Sequence, residues 1–334
     1  AFEIGNVDAA GVTLADAQAV LEATRDAMSH QVFQPHRWPL FDVRVTQMPQ
    51  QRQCVHLSVD MLILDGYSLR LFLQDWSLAY DRPDALKVAP RVSYRDYVLM
   101  EHKLREGATY KRAREYWATQ VETLSAGPAL PVREVSAEGD AVKFVRRSAV
   151  IDAPRWDELK QRTRAHGLTP TSLVMAAYAE VLARWSASQK FTLNLTLGNR
   201  MPLHEDVARV LGNFSSLVLQ EVDCTRSGMS FLEFALDTQK KFMANYDHRQ
   251  VCGVTVMRDW AKQRGKGGRM SMPVVFTSGL YDQGGQDSEQ SIFGKRVFTA
   301  SQTSQVWLDH VASEEQGRLH VDWYSADAVF EEGV

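Results

Sequence analysis

The chain of 334 residues has only three cysteines, Cys54, Cys224 and Cys252, far apart and without C-x-x-C spacing. That argues against a disulfide framework and points to a reducing compartment, the cytoplasm. Each cysteine reads as a small buried apolar residue. There is no excess of basic charge: 38 Lys and Arg face 41 Asp and Glu, for a formal net charge of −3. A general nucleic-acid binder needs a basic surface to release counterions, so that class is set aside. No run of about 18 apolar residues occurs, so no segment reads as a membrane-spanning helix. The opening "AFEIGNVDAAGVTLADAQ" lacks the basic and apolar regions of a signal peptide. There is no G-x-S-x-G elbow for a serine nucleophile. The "RGKGGR" stretch at 264–269 lacks the order of a phosphate loop and reads as a mobile basic loop.

What is present suits a folded soluble protein. Hydrophobic residues make up 45% of the chain, enough for a large core in about two domains of ordinary size. Apolar periodicity predicts helices over 13–29, 68–80 (with Ser68 as N-cap), 93–124, 154–166, 169–186, 230–249 and 254–264. Alternation or short apolar runs predict strands over 41–49, 53–60, 143–151, 191–200, 215–223, 272–280, 305–313 and 318–325. Thr169-Pro170 and the Ser230/Glu233 capping box mark two helix starts. The Gly- and Pro-containing stretch 125–140 reads as a linker between halves. Strands that alternate beside helices indicate an α+β fold, and the two halves look like similar lobes.

The stretch "DMLILDGYS" (60–68) sets Asp60 and Asp65 at the two ends of an apolar quartet, on a strand–loop–helix corner. Such a pair can bind metal, exchange protons or hold the corner through backbone N–H groups. His56 is the one nearby residue on the Asp60 side of the strand, too few ligands for a metal site. His204-Glu205-Asp206 reads as a solvated turn. Two other stretches are unusual for plain core strands. "PVVFTSGL" ends an apolar run in Thr277-Ser278-Gly279, and "SQTSQVWLDH" runs from hydroxyls and amides to Asp309.

Together these stretches resemble the heterocyclization domains of nonribosomal peptide synthetases, relatives of condensation domains. D-x-x-x-x-D-x-x-S is matched by Asp60, Asp65 and Ser68, where ordinary condensation domains carry H-H-x-x-x-D-G. P-V-V-F-T-S-x-L is matched at 273–280. S-Q-T-P-Q-V-x-L-D-x-Q is matched at 301–309, with Ser304 for Pro and Val311 for the final Gln. Q-G-x-L-x-x-x-W-D is matched at Gln316, Gly317, Leu319 and Trp323, with Tyr324 for Asp. "LGNFSSLVL" is similar to the family's G-D-F-T-x-L, with Asn213 and Ser215 substituted.

The resemblance implies two chloramphenicol-acetyltransferase-like lobes in a V-shaped pseudodimer, with a tunnel between them. It implies an N-terminal lobe over 1–135, lacking the family's opening element, and a C-terminal lobe over 136–334. It implies amide formation between carrier-bound thioesters, then attack by a Cys, Ser or Thr side chain and loss of water to a thiazoline or oxazoline. Asp309 is the implied acid/base group, Thr277 its hydrogen-bonding partner and Asn194 the amide that orients the intermediate. Ser278 and Gln302 stand in support. Asp65 would hold the corner through a buried ion pair, with Arg200 as candidate, and Asp60 would lie nearer the tunnel, neither binding metal. The partners implied are upstream and downstream peptidyl carrier proteins and an adenylation domain, with no nucleic acid and no membrane. No cofactor of its own is implied, since the phosphopantetheine arms belong to the carriers. Many such domains serve siderophore assembly. Two further readings are an amide-forming condensation domain without ring closure and a non-catalytic docking scaffold in a synthetase.

Overall fold

The computed structural model describes residues 2–85, 88–133, 143–226, 228–264, 272–280, 292–303 and 305–333. The chain forms two compact units that interleave along the sequence. One takes 1–97, 200–214 and 290–299, and the other takes 98–199, 215–289 and 300–334. A single cut at 135/136 separates the two β-sheets, but α4 (Ala108–Thr123) lies in the second unit and 200–214 in the first.

In the first unit, β1 (Gly5–Asp8) runs parallel to β2 (Phe41–Met48), which pairs antiparallel with β3 (Arg52–Val59). The short strand β1 was not expected from the sequence. α1 (Leu14–Ser29) starts where Thr13 accepts the Asp16 N–H at 3.2 Å. α2 (Gly66–Asp81) follows the DMLILDGYS corner. The expected helical region 93–124 is two helices, α3 (Tyr94–Leu104) and α4, because Gly107 takes an extended conformation as N-cap of α4. Glycine is a poor helix former, which fits a break at this point.

The second unit is built on six strands in the order β4-β9-β8-β7-β5-β6. These are β4 (Val145–Ile151), β5 (Lys190–Gly198), β6 (Ser215–Asp223), β7 (Val274–Ser278), β8 (Leu308–Glu315) and β9 (Arg318–Ser325). β7 is parallel to both neighbours, and the remaining pairs are antiparallel. α5 (Ala153–Ala165), α6 (Pro170–Trp185), α7 (Phe231–Asp247) and α8 (Gly253–Gln263) complete the unit. The capping box at Ser230/Glu233 is formed. Gln316 and Gly317 link β8 to β9 with φ of +50° and +73°. A two-residue hairpin turn with both φ positive matches the strand twist, which gives the Q-G of the motif a structural role.

One face of this sheet is the main core. Phe191, Leu193 and Leu195 of β5, Val274 and Phe276 of β7, and Leu308 and Ala312 of β8 pack with Trp156 of α5 and Met175, Tyr178 and Leu182 of α6. Trp156 is fully buried, and its indole N–H donates to the Glu314 carboxylate at 2.7 Å. Trp156→Ala removes that volume and leaves a cavity, so urea unfolding is expected to show a loss of about 3–5 kcal/mol.

The stretch expected as a linker is a strap as far as it is described. Ser125 donates to Glu221 through N–H (2.9 Å) and hydroxyl (2.8 Å), Thr192 N–H donates to Ala126 O, Arg133 N–H donates to Val329 O, and Leu130 enters the core. Residues 134–140 of that stretch and 265–269 of the basic loop lie outside the described residues. The three cysteines are free and half-buried rather than buried. Burial pushes the Cys54 thiol up, with Arg25 opposing, and burial together with Glu180 and Asp223 pushes Cys224 to about 11. Thiols held protonated in this way are poor nucleophiles.

Candidate active site

The two aspartates of DMLILDGYS do different local work. Asp60 accepts the Leu62 N–H at 2.9 Å and closes a turn, while its own N–H donates to Leu40 O. The turn leaves Met61 and Leu62 exposed and Leu64 buried. Asp65, 4% exposed, is the N-cap of α2: Oδ1 accepts the Ser68 N–H at 2.7 Å. Ser68 therefore sits one turn inside the helix and is not its cap, because the carboxylate three residues earlier takes that position.

Asp65 and Ser68 together hold the 212–214 turn. Asp65 Oδ2 accepts the Phe214 N–H at 2.9 Å, and its backbone N–H donates to Gly212 O. The Ser68 hydroxyl donates to Gly212 O at 2.7 Å and accepts from Gly212 N–H and from Arg200 Nη2 at 2.8 Å. Arg200 also donates to Val207 O and Val210 O and lies over the Phe214 ring, with its Nη2 3.7 Å from Asp65 Oδ1. So the ion pair expected with Arg200 is present, but backbone N–H groups are the closer partners of the carboxylate. Burial lowers the Arg200 pKa, with Asp65 opposing. A Cβ on Gly212 would lie 2.2 Å from the Tyr94 ring, so only glycine fits.

His56 is hydrogen-bonded to Thr46 at 2.9 Å. Among the described residues no group of three or more His, Cys, Asp or Glu is placed to hold a metal ion. His204-Glu205-Asp206 is more than a solvated turn. His204 caps a short 3-10 helix, and Asp206 accepts both N–H and Nε–H of Arg91, which also pairs with Glu205.

The second constellation lies on the sheet face opposite the main core. Successive strand residues point to opposite faces. Leu308, His310 and Ala312 face the core side, so Asp309 and Val311 face the other. Register places Asn194, Val275, Asp309 and Tyr324 in one row across β5, β7, β8 and β9, and Thr196, Thr277, Val311 and Asp322 in the next. The Thr277 hydroxyl donates to Asp309 Oδ1 across a long 3.5 Å. Asp309 is 9% exposed, and burial pushes its pKa from the ordinary 3.8 to about 6, against the lowering effect of Thr277. Near neutrality such a carboxyl can both accept and return a proton.

Asn194 is buried and its Oδ1 has no partner among the described residues. It sits two strands, about 10 Å, from Asp309, so a substrate group would have to span the gap. Ser278 points to the helix side, bonded to the Thr171 hydroxyl of α6 at 3.0 Å. Gln302 is exposed in the irregular stretch leading into β8. Tyr178 and His310 are buried side by side on the core face with ring centroids 4.6 Å apart. Burial holds the Tyr178 phenol well above its usual range and lowers His310 to about 4. No motif position signals either residue.

Two α+β units, one with a buried carboxyl group beside a hydroxyl, have the make-up of an enzyme that moves protons. The chain belongs to the condensation-domain family of nonribosomal peptide synthetases: the family model described as "Condensation domain" matches residues 1–333. It is 33% identical over 335 residues to bacitracin synthase 1 of Bacillus licheniformis, covering 100% of this chain and 6% of that protein. It is 36% identical over 318 residues to phenyloxazoline synthase MbtB of Mycobacterium tuberculosis, covering 94% of this chain and 22% of that protein. The chain thus spans a small part of the length of these curated relatives. Among solved structures, the EpoB cyclization-docking bidomain from Sorangium cellulosum shares the fold, with a TM-score of 0.89 and 36% identity, over 99% of this chain and 67% of that one. No helix among the described residues is long and apolar enough to cross a membrane.

Proposed function

We propose that this domain condenses two carrier-bound thioesters and then closes the new amide into a five-membered ring. The observation that carries the reading is Asp309, buried, titrating near 6 and facing the Thr277 hydroxyl. The names of two relatives, phenyloxazoline synthase and cyclization-docking bidomain, support it.

Condensation joins the acceptor amine to the donor acyl group and releases the donor thiol. The acceptor's side-chain thiol or hydroxyl then adds to the new amide carbonyl. Asp309 takes the proton from that side chain and hands it to the carbonyl oxygen. It next takes the amide N–H proton and delivers it to the departing hydroxyl, so that water leaves and a C=N bond forms. Thr277 steadies the Asp309 carboxylate. Asn194 orients the intermediate through its Oδ1, which has no partner among the described residues. Asp60, Asp65 and Ser68 shape the corner and its 212–214 partner, while Ser278 and Gln302 act at a distance. The thioesters ride on phosphopantetheine arms of upstream and downstream carrier proteins, loaded by adenylation domains in the cytoplasm, and the domain contributes no cofactor of its own.

The test is intact-protein mass spectrometry of an acceptor carrier after incubation with the domain and a loaded donor carrier. The expected product is the amide mass less one water. An amide that never dehydrates would favour the amide-forming condensation domain, and no transfer at all would favour the scaffold.

A further inference from the structure

We propose that the acceptor closed into a ring here is cysteine, giving a thiazoline, and that Val311 is the residue that selects it over serine and threonine. The inference rests on the cyclizing function proposed above and names the substrate of that same site.

Val311 is paired with Thr277 on one side and Asp322 on the other, two residues from Asp309 along β8 and on the same face. Any side chain attacking a carbonyl beside Asp309 must pass close to it. Val311 offers methyl groups and neither donor nor acceptor. The polar groups on either side of it in that row already have partners: the Thr277 hydroxyl donates to Asp309. Asp322 accepts two bonds from Arg146, at 3.0 and 3.1 Å, and one from Ser148. Val275, beside Asp309 in the neighbouring row, is apolar as well.

A hydroxyl moved from water into such surroundings gives up both donated and accepted hydrogen bonds. Asp309 can take the donated bond from a serine, but Val311 offers no donor to its oxygen, and the Thr277 hydroxyl beside it is turned to Asp309. A thiol has little to lose, since it behaves as a small apolar group with a weak S–H donor. Proton transfer points the same way. A carboxylate that titrates near 6 is within about three units of a thiol at about 8.5, and the resulting thiolate is a strong nucleophile. The reaction balances without an added oxidant: the S–C bond forms, the C–O bond breaks, and one water leaves.

The experiment charges one acceptor carrier separately with Cys, Ser and Thr and follows dehydration of each preformed amide by intact mass. The expected result is a Cys rate about 10- to 100-fold above Ser and Thr, the range in which an apolar site discriminates a single group. Because thiols are also intrinsically more reactive, the deciding arm is Val311→Thr, which keeps the shape of Val311 and adds a hydroxyl. It is expected to narrow the Cys-to-Ser ratio several-fold, whereas a purely structural loss would slow all three acceptors alike. Equal dehydration of Ser and Cys by the unaltered domain, or an unchanged ratio in Val311→Thr, overturns the inference and leaves ring closure standing. Amides that accumulate undehydrated with all three acceptors overturn ring closure and this inference with it.

Discussion

Asp309→Asn is expected to slow dehydration about 100- to 10,000-fold, the usual contribution of a positioned acid/base group, while amide formation continues. The same substitution is expected to make the domain more stable at neutral pH. The folded protein holds this carboxyl at a pKa of about 6, against 3.8 for the free group. Between those values the folded state binds more protons than the unfolded one, so stability falls as pH rises through the window. Above it the deficit is about 3 kcal/mol. Asparagine carries no charge into the buried position and escapes that cost. Urea unfolding from pH 4 to 8 should therefore show a declining stability in the unaltered domain and a flatter curve in Asp309→Asn, the gap widest above pH 6. If dehydration is limited by Asp309 acting as base, its rate rises with pH through about 6. Thr277→Val removes a bond that favours the charged carboxylate, so that limb should move to higher pH. An Asn variant that loses stability at neutral pH, or keeps its dehydration rate, would sink the assignment.

On the proposed assignment a functional gain is coupled to a folding cost, which would account for so polar a residue in the interior of the sheet. Desolvation raises the pKa of Asp309 into the working range, and the same desolvation costs stability. Thr277 moderates both. Replacing it exposes the two effects together, which separates a catalytic carboxyl from one that is merely buried.

Much of the fold was legible because its signals are local. β6 and β9 begin and end where alternation says they do, and Ser230/Glu233 forms the capping box that its spacing announces. The departures come from long-range demands. Ser68 is a good cap by type, but Asp65 takes the cap because the 212–214 turn needs both residues at once, from about 145 positions away in the chain. β1 has four residues and pairs in parallel with β2 nearly 40 positions on, with no periodicity to announce it. The 125–133 strap has the composition of a linker, and its bonds to Glu221, Thr192 and Val329 leave no trace in local sequence. Thr277 and Ser278 are adjacent in a strand and must face opposite sides, so only one of them can share a face with Asp309. Asp309 and Val311, two apart, share a face by the same rule.

Asp65→Ala is expected to destabilise the first unit by about 3–5 kcal/mol, the range for removing one member of a buried charge pair. Three losses coincide. The cap of α2 goes, worth about 0.5–2 kcal/mol. The Phe214 N–H loses its acceptor. Arg200, with 12% of its side chain exposed, is left without the carboxylate opposite it. The geometry ranks these losses. The N–H bonds are 2.7 and 2.9 Å long and the ion pair is 3.7 Å, so the neutral capture of backbone outweighs the charge. Asp65→Asn, which keeps one acceptor oxygen for the cap, should therefore cost clearly less than Asp65→Ala. Arg200→Met should also cost less, since an apolar chain of similar length still covers Phe214, although Ser68 and the Val207 and Val210 carbonyls lose a donor. Amide hydrogen exchange gives the local readout: Ser68 and Phe214 N–H should lose protection in Asp65→Ala, while β6 and β9 keep theirs. A double-mutant cycle between positions 65 and 200 should return a coupling well below the cost of Asp65→Ala, because the ion pair is longer than the backbone bonds. If the cycle instead returned nearly the whole cost of Asp65→Ala, with Asp65→Asn as damaging as alanine, the corner would be an electrostatic clamp, and the account of D-x-x-x-x-D-x-x-S as a backbone-capturing turn would fail.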